Sequence, residues 1–162
     1  MDTTLEKLLR HPLLDTLSEE EIGELRPRVR ARQVRVGEVI FEQGADADYF
    51  YLVADGELEV LMSVEGGKQE SVNLLYPGDF FGDVSFMMEQ PRGVTVRAIQ
   101  EGELLYMTGE ELLRLREEAS GFAERMAQLG ERIETRSVLT FEGQQDGEVV
   151  LNLTRQHWVA LI

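Results

Sequence analysis

Cysteine is absent from the 162 residues. That excludes a disulfide scaffold, a Cys-ligated zinc site, a thiolate-ligated iron–sulfur cluster and a thiol nucleophile. Histidine is scarce: only His11 and His157 occur, near opposite ends. A multi-histidine metal centre or a histidine-based triad has little to draw on. Positive charge is also short, with 16 Lys and Arg against 31 Asp and Glu and a net charge of −15. A duplex-binding surface needs clustered cations to displace counterions from phosphates. These residues as a whole are therefore expected to be repelled by DNA and by anionic lipid. No stretch approaches the roughly 18 apolar residues of a membrane helix. The opening residues Met1 to Lys7 lack the apolar stretch of a signal peptide. The expectation is a cytoplasmic, reducing setting and no metal or cofactor.

What is present is an ordinary globular composition, 43% apolar and 29% charged. A chain of this length is expected to form one domain with a helical appendage. Residues 1–27 read as short helices. Leu5, Leu8 and Leu9 fall on one face, and Ser18 with Glu21 forms a capping-box pattern. Residues 28–108 read as many short strands, among them Val39 to Phe41, Tyr49 to Val53 and Leu104 to Met107. Turn signals such as Asp55-Gly56, Gly66-Gly67 and Pro77-Gly78-Asp79 separate them. Strands without intervening helices predict a closed or two-sheet β structure, a barrel or jelly roll. Residues 109–139 read as helical again, and 140–162 as a tail.

The most informative stretch runs from Phe80 to Ala98. Gly82 opens a short segment whose first N–H groups point outward and make a seat for an anion. Arg92 follows a proline-marked turn and is suited to close on the same anion with two hydrogen bonds. Asp83 is an acceptor beside that seat, suited to a sugar hydroxyl. An anion next to a hydroxyl describes a phosphorylated sugar. The plainer alternative is a surface loop in which Gly82 makes a turn and Arg92 pairs with a nearby Glu.

At these residues the sequence resembles the cyclic nucleotide-binding domain shared by CRP/FNR regulators, protein kinase A regulatory subunits and cyclic-nucleotide-gated channels. The resemblance spans about residues 10–138. It includes Gly37-Glu38-Val39-Ile40-Phe41-Glu42-Gln43-Gly44, Ala47 to Val53, Gly56-Glu57-Leu58 and Pro77 to Gly82. It continues through the family's phosphate-binding cassette, typically Phe-Gly-Glu-Leu-Ala-Leu, four variable residues and Pro-Arg-Ala-Ala-Thr. The resemblance implies a double-stranded β-helix (jelly-roll) barrel with N-terminal helices and a C-terminal helix pair. It implies that Arg92 binds the cyclic phosphate of cAMP or cGMP and that Asp83 takes the ribose 2′-hydroxyl. Gly82, Val84, Ser85 and Gly93 then line the phosphate, largely through backbone groups. There are departures from the pattern. Asp83 is one methylene shorter than the usual glutamate, and Gly93-Val94 replaces a small Ala or Ser pair, so that Val94 threatens to crowd the pocket.

The resemblance thus implies a regulatory domain that senses cAMP or cGMP and transmits the signal through its C-terminal helix, and two features concern what such a sensor acts on. Phe122, Met126, Leu129 and Ile133 recur at heptad spacing. They are expected to form a homodimer seam, the alternative being that the helix packs this stripe on its own barrel. Leu153-Thr154-Arg155-Gln156 resembles the opening of the first DNA-binding helix of CRP/FNR regulators. The rival is that Arg155 to Trp158 precede a membrane segment. Either way the chain is expected to stop short of an output region. An enzyme is not expected: cupins share the barrel but need a histidine cluster inside it, and the strand zone has no histidine. The runner-up function is a nucleotide-free dimerisation and interaction module, part of a transcription regulator or of a membrane protein.

Overall fold

A computed structural model describes residues 2–119 and 121–144, with side chains through Arg136. It opens with helix α1 (Thr3–Arg10), whose first N–H groups are capped by the Asp2 carboxylate. A single turn at Pro12–Leu14 leads to α2 (Glu19–Leu25). There the expected capping box is formed, Ser18 and Glu21 exchanging side-chain and backbone bonds.

Among the described residues eight strands follow: β1 (Arg30–Val34), β2 (Val39–Phe41), β3 (Tyr49–Asp55), β4 (Leu58–Ser63), β5 (Gln69–Leu75), β6 (Phe80–Phe81), β7 (Thr95–Ala98) and β8 (Gly102–Thr108). They make two four-stranded sheets, ordered β1-β8-β3-β6 and β2-β7-β4-β5, with every pairing antiparallel. This is the jelly roll. Bulges at Val39/Phe41, Val53/Asp55 and Val60/Leu61 bend the strands. The hairpin at Asp55-Gly56 requires glycine: Gly56 has φ +87, and a Cβ there would stand 2.9 Å from the Glu101 carbonyl. Phe50, Leu52, Val53, Val60, Val96, Leu104 and Leu105 are fully enclosed and fill the core.

Between β6 and β7 lies one helical segment, α3 (Asp83–Met87). Two helices close the fold, α4 (Gly109–Glu118) and α5 (Phe122–Gln144). Helix α5 runs to Gln144, so the helical zone passes the expected boundary at 139. The readings of residues 145–162 as a DNA-binding or premembrane segment lie outside the described residues. Among the described residues no helix is long and apolar enough to cross a membrane.

The α5 stripe needs a correction. Phe122, Met126, Leu129 and Ile133 are between 0% and 7% exposed within the single chain. They belong to the same apolar core as the strands. Periodicity marks a helix face but not the surface that covers it, and here the barrel covers it. Further bonds hold α5 in place. Asn73 Nδ2 donates to the Ile133 carbonyl at 3.0 Å. Arg125 pairs with Asp15 at 2.9 Å, and Arg136 with Asp79 at 2.5 Å. The four residues are thus this chain's own core and are not free to form an intersubunit seam.

Candidate functional site

Gly82, at the junction of β6 and α3, has φ +94. A side chain there meets two obstacles besides the backbone angle: a Cβ would lie 3.0 Å from the Tyr49 carbonyl and 3.2 Å from Arg92 Nη1. The absent side chain is what lets a guanidinium lie against the start of α3.

That guanidinium is deeply buried, Arg92 being 1% exposed. Nη1 donates to the Gly82 carbonyl at 2.8 Å and to Ser85 Oγ at 2.9 Å, and Nη2 donates to the Tyr49 carbonyl at 2.6 Å. Its plane lies over the Phe41 ring, 4.2 Å from the centroid. The nearest carboxylate, Asp48, is 3.8 Å away and largely in solvent. Nε is buried and has no hydrogen-bond partner. The cation is therefore solvated by two carbonyl dipoles and a hydroxyl, with an exposed counter-ion and one nitrogen, Nε, that donates to nothing. Burial pulls its pKa below the usual arginine range, against the opposing influence of Tyr51, Asp48 and Asp83.

The sequence-expected residues meet here in part. Gly82, Ser85 and Arg92 are in direct contact, as above. Asp83 and Val84 turn elsewhere, into a cavity of about 270 Å³ roofed by Met126, Ala127 and Gly130 of α5 and flanked by Arg116 of α4. Burial raises the Asp83 carboxyl to about 6; the N–H groups of Asp83 and Val84 and the charges of Arg116 and Arg92 pull the other way. Gly93 is partly exposed after Arg92, and Val94 is fully enclosed in the core. Val94 thus packs with the strands, which accounts for a larger residue at that position.

Sequence reasoning overlooked Phe41, which supports Arg92, and the Tyr49 carbonyl, which holds it. In the sequence Phe41 is one residue of a β-rich run and of the Gly37 to Gly44 pattern, with nothing to tie it to Arg92. Around it, Tyr51 and Phe81 stack at 4.9 Å, and Phe41 stands 5.8 Å from Phe81. Backbone carbonyls carry no side-chain signal at all.

The arrangement is that of a seat: a buried cation with donor capacity, a glycine-opened helix start, and an adjoining roofed cavity with a titratable carboxylate. Among the described residues no group of His, Asp or Glu is placed to hold a metal ion.

Comparison with known proteins gives this seat a family. The family model of the cyclic nucleotide-binding domain matches residues 31–119. A putative potassium channel protein of Rhodopseudomonas palustris is 30% identical over 147 residues, covering 88% of this chain and 35% of that protein. The cyclic AMP receptor protein of Thermus thermophilus is 33% identical over 104 residues, covering 64% of this chain and 48% of that one. The crystal structure of the Thermus thermophilus catabolite activator protein superposes with a TM-score of 0.67 at 30% identity, covering 81% of this chain and 62% of that chain. The chain thus spans about half or less of the length of the curated relatives it matches. It belongs to the cyclic nucleotide-binding domain family and is CRP-like in fold.

Proposed function

We propose that this chain is a sensor domain that binds a cyclic purine nucleotide, cAMP or cGMP, at the Arg92 seat. It then passes the change through α5 to whatever it regulates. The observation that carries this reading is the buried Arg92 guanidinium. A cation in a low-dielectric interior normally has a hydrogen-bonded anion beside it. Arg92 has carbonyls and one exposed carboxylate at 3.8 Å. A cyclic phosphate supplies the missing charge. It would engage Nε, the free donor, and exchange with at least one carbonyl at Nη1 or Nη2.

The sugar and base follow from the neighbouring cavity. Asp83 faces it and accepts from a ribose hydroxyl, and the apolar roof of Met126, Ala127 and Ile133 covers a flat base. The relatives agree with a nucleotide: one of them is a cyclic AMP receptor protein. Signal transfer has a physical route. Asp83 and Val84 of α3 share the cavity with α5, so a ligand that fills it bears on both helices. The role is regulatory, not catalytic.

One observation favours the runner-up, a nucleotide-free interaction module. Both Nη atoms of Arg92 are already engaged by this chain's own oxygens. A ligand must displace bonds that exist. Isothermal titration of the chain with cAMP and with cGMP decides between the two. Heat of binding that disappears in Arg92→Ala supports the sensor. Absence of heat with both nucleotides promotes the interaction module.

A further inference from the structure

Beside α3, lined by other residues than the α5 cavity, lies a second and larger concavity of about 530 Å³. Its walls are mostly apolar: Ala47 from the loop before β3, Phe86 and Met87 from α3, Pro91, and Leu113 from α4. Its apolar surface does not end at the rim. Leu113 is 40% exposed and Met88, next to Met87, is 50% exposed. A small-molecule pocket buries its apolar lining. Here the apolar surface spills outward onto the protein exterior, as at an interaction site for another macromolecule.

The charges around this groove are mostly acidic. Asp46 and Glu89 line it. On α4, Glu110 and Glu117 stand three and four residues from Leu113, on its own exposed face. Asp48 extends from the same loop as Ala47, with its side chain 66% exposed. Arg116 is a cation at the edge, and its guanidinium is directed at Met87 Sδ, 2.8 Å away. An apolar groove ringed by carboxylates is complementary to an apolar ridge flanked by Lys and Arg. Methionine walls adapt to the shape of what enters.

We propose that the groove between α3 and α4 is a docking site for a basic amphipathic helix of a partner protein, with apolar residues against Phe86, Met87 and Leu113 and Lys or Arg against the acidic rim. The site backs directly onto the Arg92 seat. Ser85, whose hydroxyl accepts from Arg92, also lines the groove. A partner there contacts the same short helix that holds the seat.

The test uses the full chain without nucleotide, so that failure of nucleotide binding and failure of docking are separate results. Three synthetic 18-residue probes are titrated at 0.15 M salt by fluorescence anisotropy: an amphipathic Leu/Lys helix, its scrambled isomer with no apolar face, and a Leu/Glu helix. The expected result is saturable binding of the Leu/Lys helix, at least tenfold tighter than the scramble, with no binding of the Leu/Glu helix. Leu113→Ser and Met88→Ser each alter an exposed side chain, so both variants should keep the wild-type melting curve. Each should weaken the Leu/Lys helix at least fivefold. Equal binding of helix and scramble, or wild-type affinity in both variants, overturns the proposal. So does sedimentation showing self-association that Leu113→Ser abolishes, because the occupant would then be a second copy of the chain.

Discussion

Arg92 and Arg97 are five residues apart, yet they occupy opposite physical situations. Arg97 lies on β7, directly across from Glu59 on β4, and the two make a side-chain ion pair through Nε and Nη2. Its side chain is 42% exposed. Such a pair is worth at most about 1 kcal/mol, because water screens it. Arg92 is enclosed, faces carbonyls, and has no hydrogen-bonded carboxylate. One arginine satisfies a surface. The other keeps a positive potential inside the protein, which is what a site for an anion requires.

The largest expected effect tests that difference directly. Arg92→Ala should weaken cAMP or cGMP binding by at least about tenfold and up to about a thousandfold, the range given by charge-assisted and buried-charge hydrogen bonds. Arg97→Ala should change it less than about threefold, as expected of a rim charge. Isothermal titration reads both. Equal losses would mean diffuse attraction between a cation and a nucleotide, and the seat would not exist.

Gly82→Ala addresses the geometry around the guanidinium while leaving its charge. At φ +94 a side chain is strained, and the new Cβ would stand 3.2 Å from Arg92 Nη1. The expected cost is about 1–3 kcal/mol in urea denaturation. Nucleotide affinity should fall with it, since Arg92 must shift. Stability lost with affinity unchanged would show that Arg92 binds nothing.

The comparison also shows how far the sequence could be read. The strands, their turns, the capping box at Ser18 and the cassette from Phe80 to Ala98 were legible, because period-2 alternation and turn chemistry are local. The contrast between the two arginines was not. Sequence gives both as single cations near strands, and only the fold places Glu59 across from one and carbonyls around the other. Likewise the sequence offers Asp83 as an acceptor next to the anion seat, and only the fold shows that the cavity it lines is roofed by α5. The α5 stripe is legible as an apolar face with two candidate partners, a second copy or the chain's own barrel, and only the fold chooses the barrel.

Asp83 and His11 extend the contrast to pH. The Asp83 carboxyl is raised to about 6 in the fold. The folded state therefore binds more protons than the unfolded chain between about 6 and the ordinary value of 3.8, and this group adds stability as pH falls through that window. His11 does the reverse. It is 4% exposed, donates from Nε2 to the Asp79 carbonyl at 3.1 Å, and burial lowers it from 6.5 to about 4. Its contribution, about 3 kcal/mol at 1.36 kcal/mol per pKa unit, is complete above 6.5 and is lost as pH falls toward 4. His11→Gln should flatten the acid limb of the stability curve. For nucleotide binding, an ionised Asp83 accepting from ribose predicts affinity about tenfold weaker at pH 5 than at pH 7.5, the drop expected one unit below the pKa. Asp83→Asn should abolish that dependence. A wild-type affinity flat across this range would leave Asp83 without a ligand contact.

The smallest expected effect is the one that defines the seat. Asp48 is the carboxylate nearest Arg92, at 3.8 Å, and its side chain is 66% exposed. If Asp48 were the true counter-ion, Asp48→Asn would strand a buried cation and cost about 3–5 kcal/mol. If the carbonyls of Gly82 and Tyr49 carry the solvation, as their distances of 2.8 and 2.6 Å indicate, the change should cost less than about 1 kcal/mol. Removing a negative charge from beside the seat should also tighten nucleotide binding slightly, by less than about threefold at physiological salt, where screening is strong. Glu59→Gln, beside Arg97, should be equally mild in denaturation and should leave nucleotide affinity unchanged. A large destabilisation in Asp48→Asn alone would make Arg92 half of a closed ion pair. The two arginines would then differ only in depth, and the anion would have to be sought elsewhere.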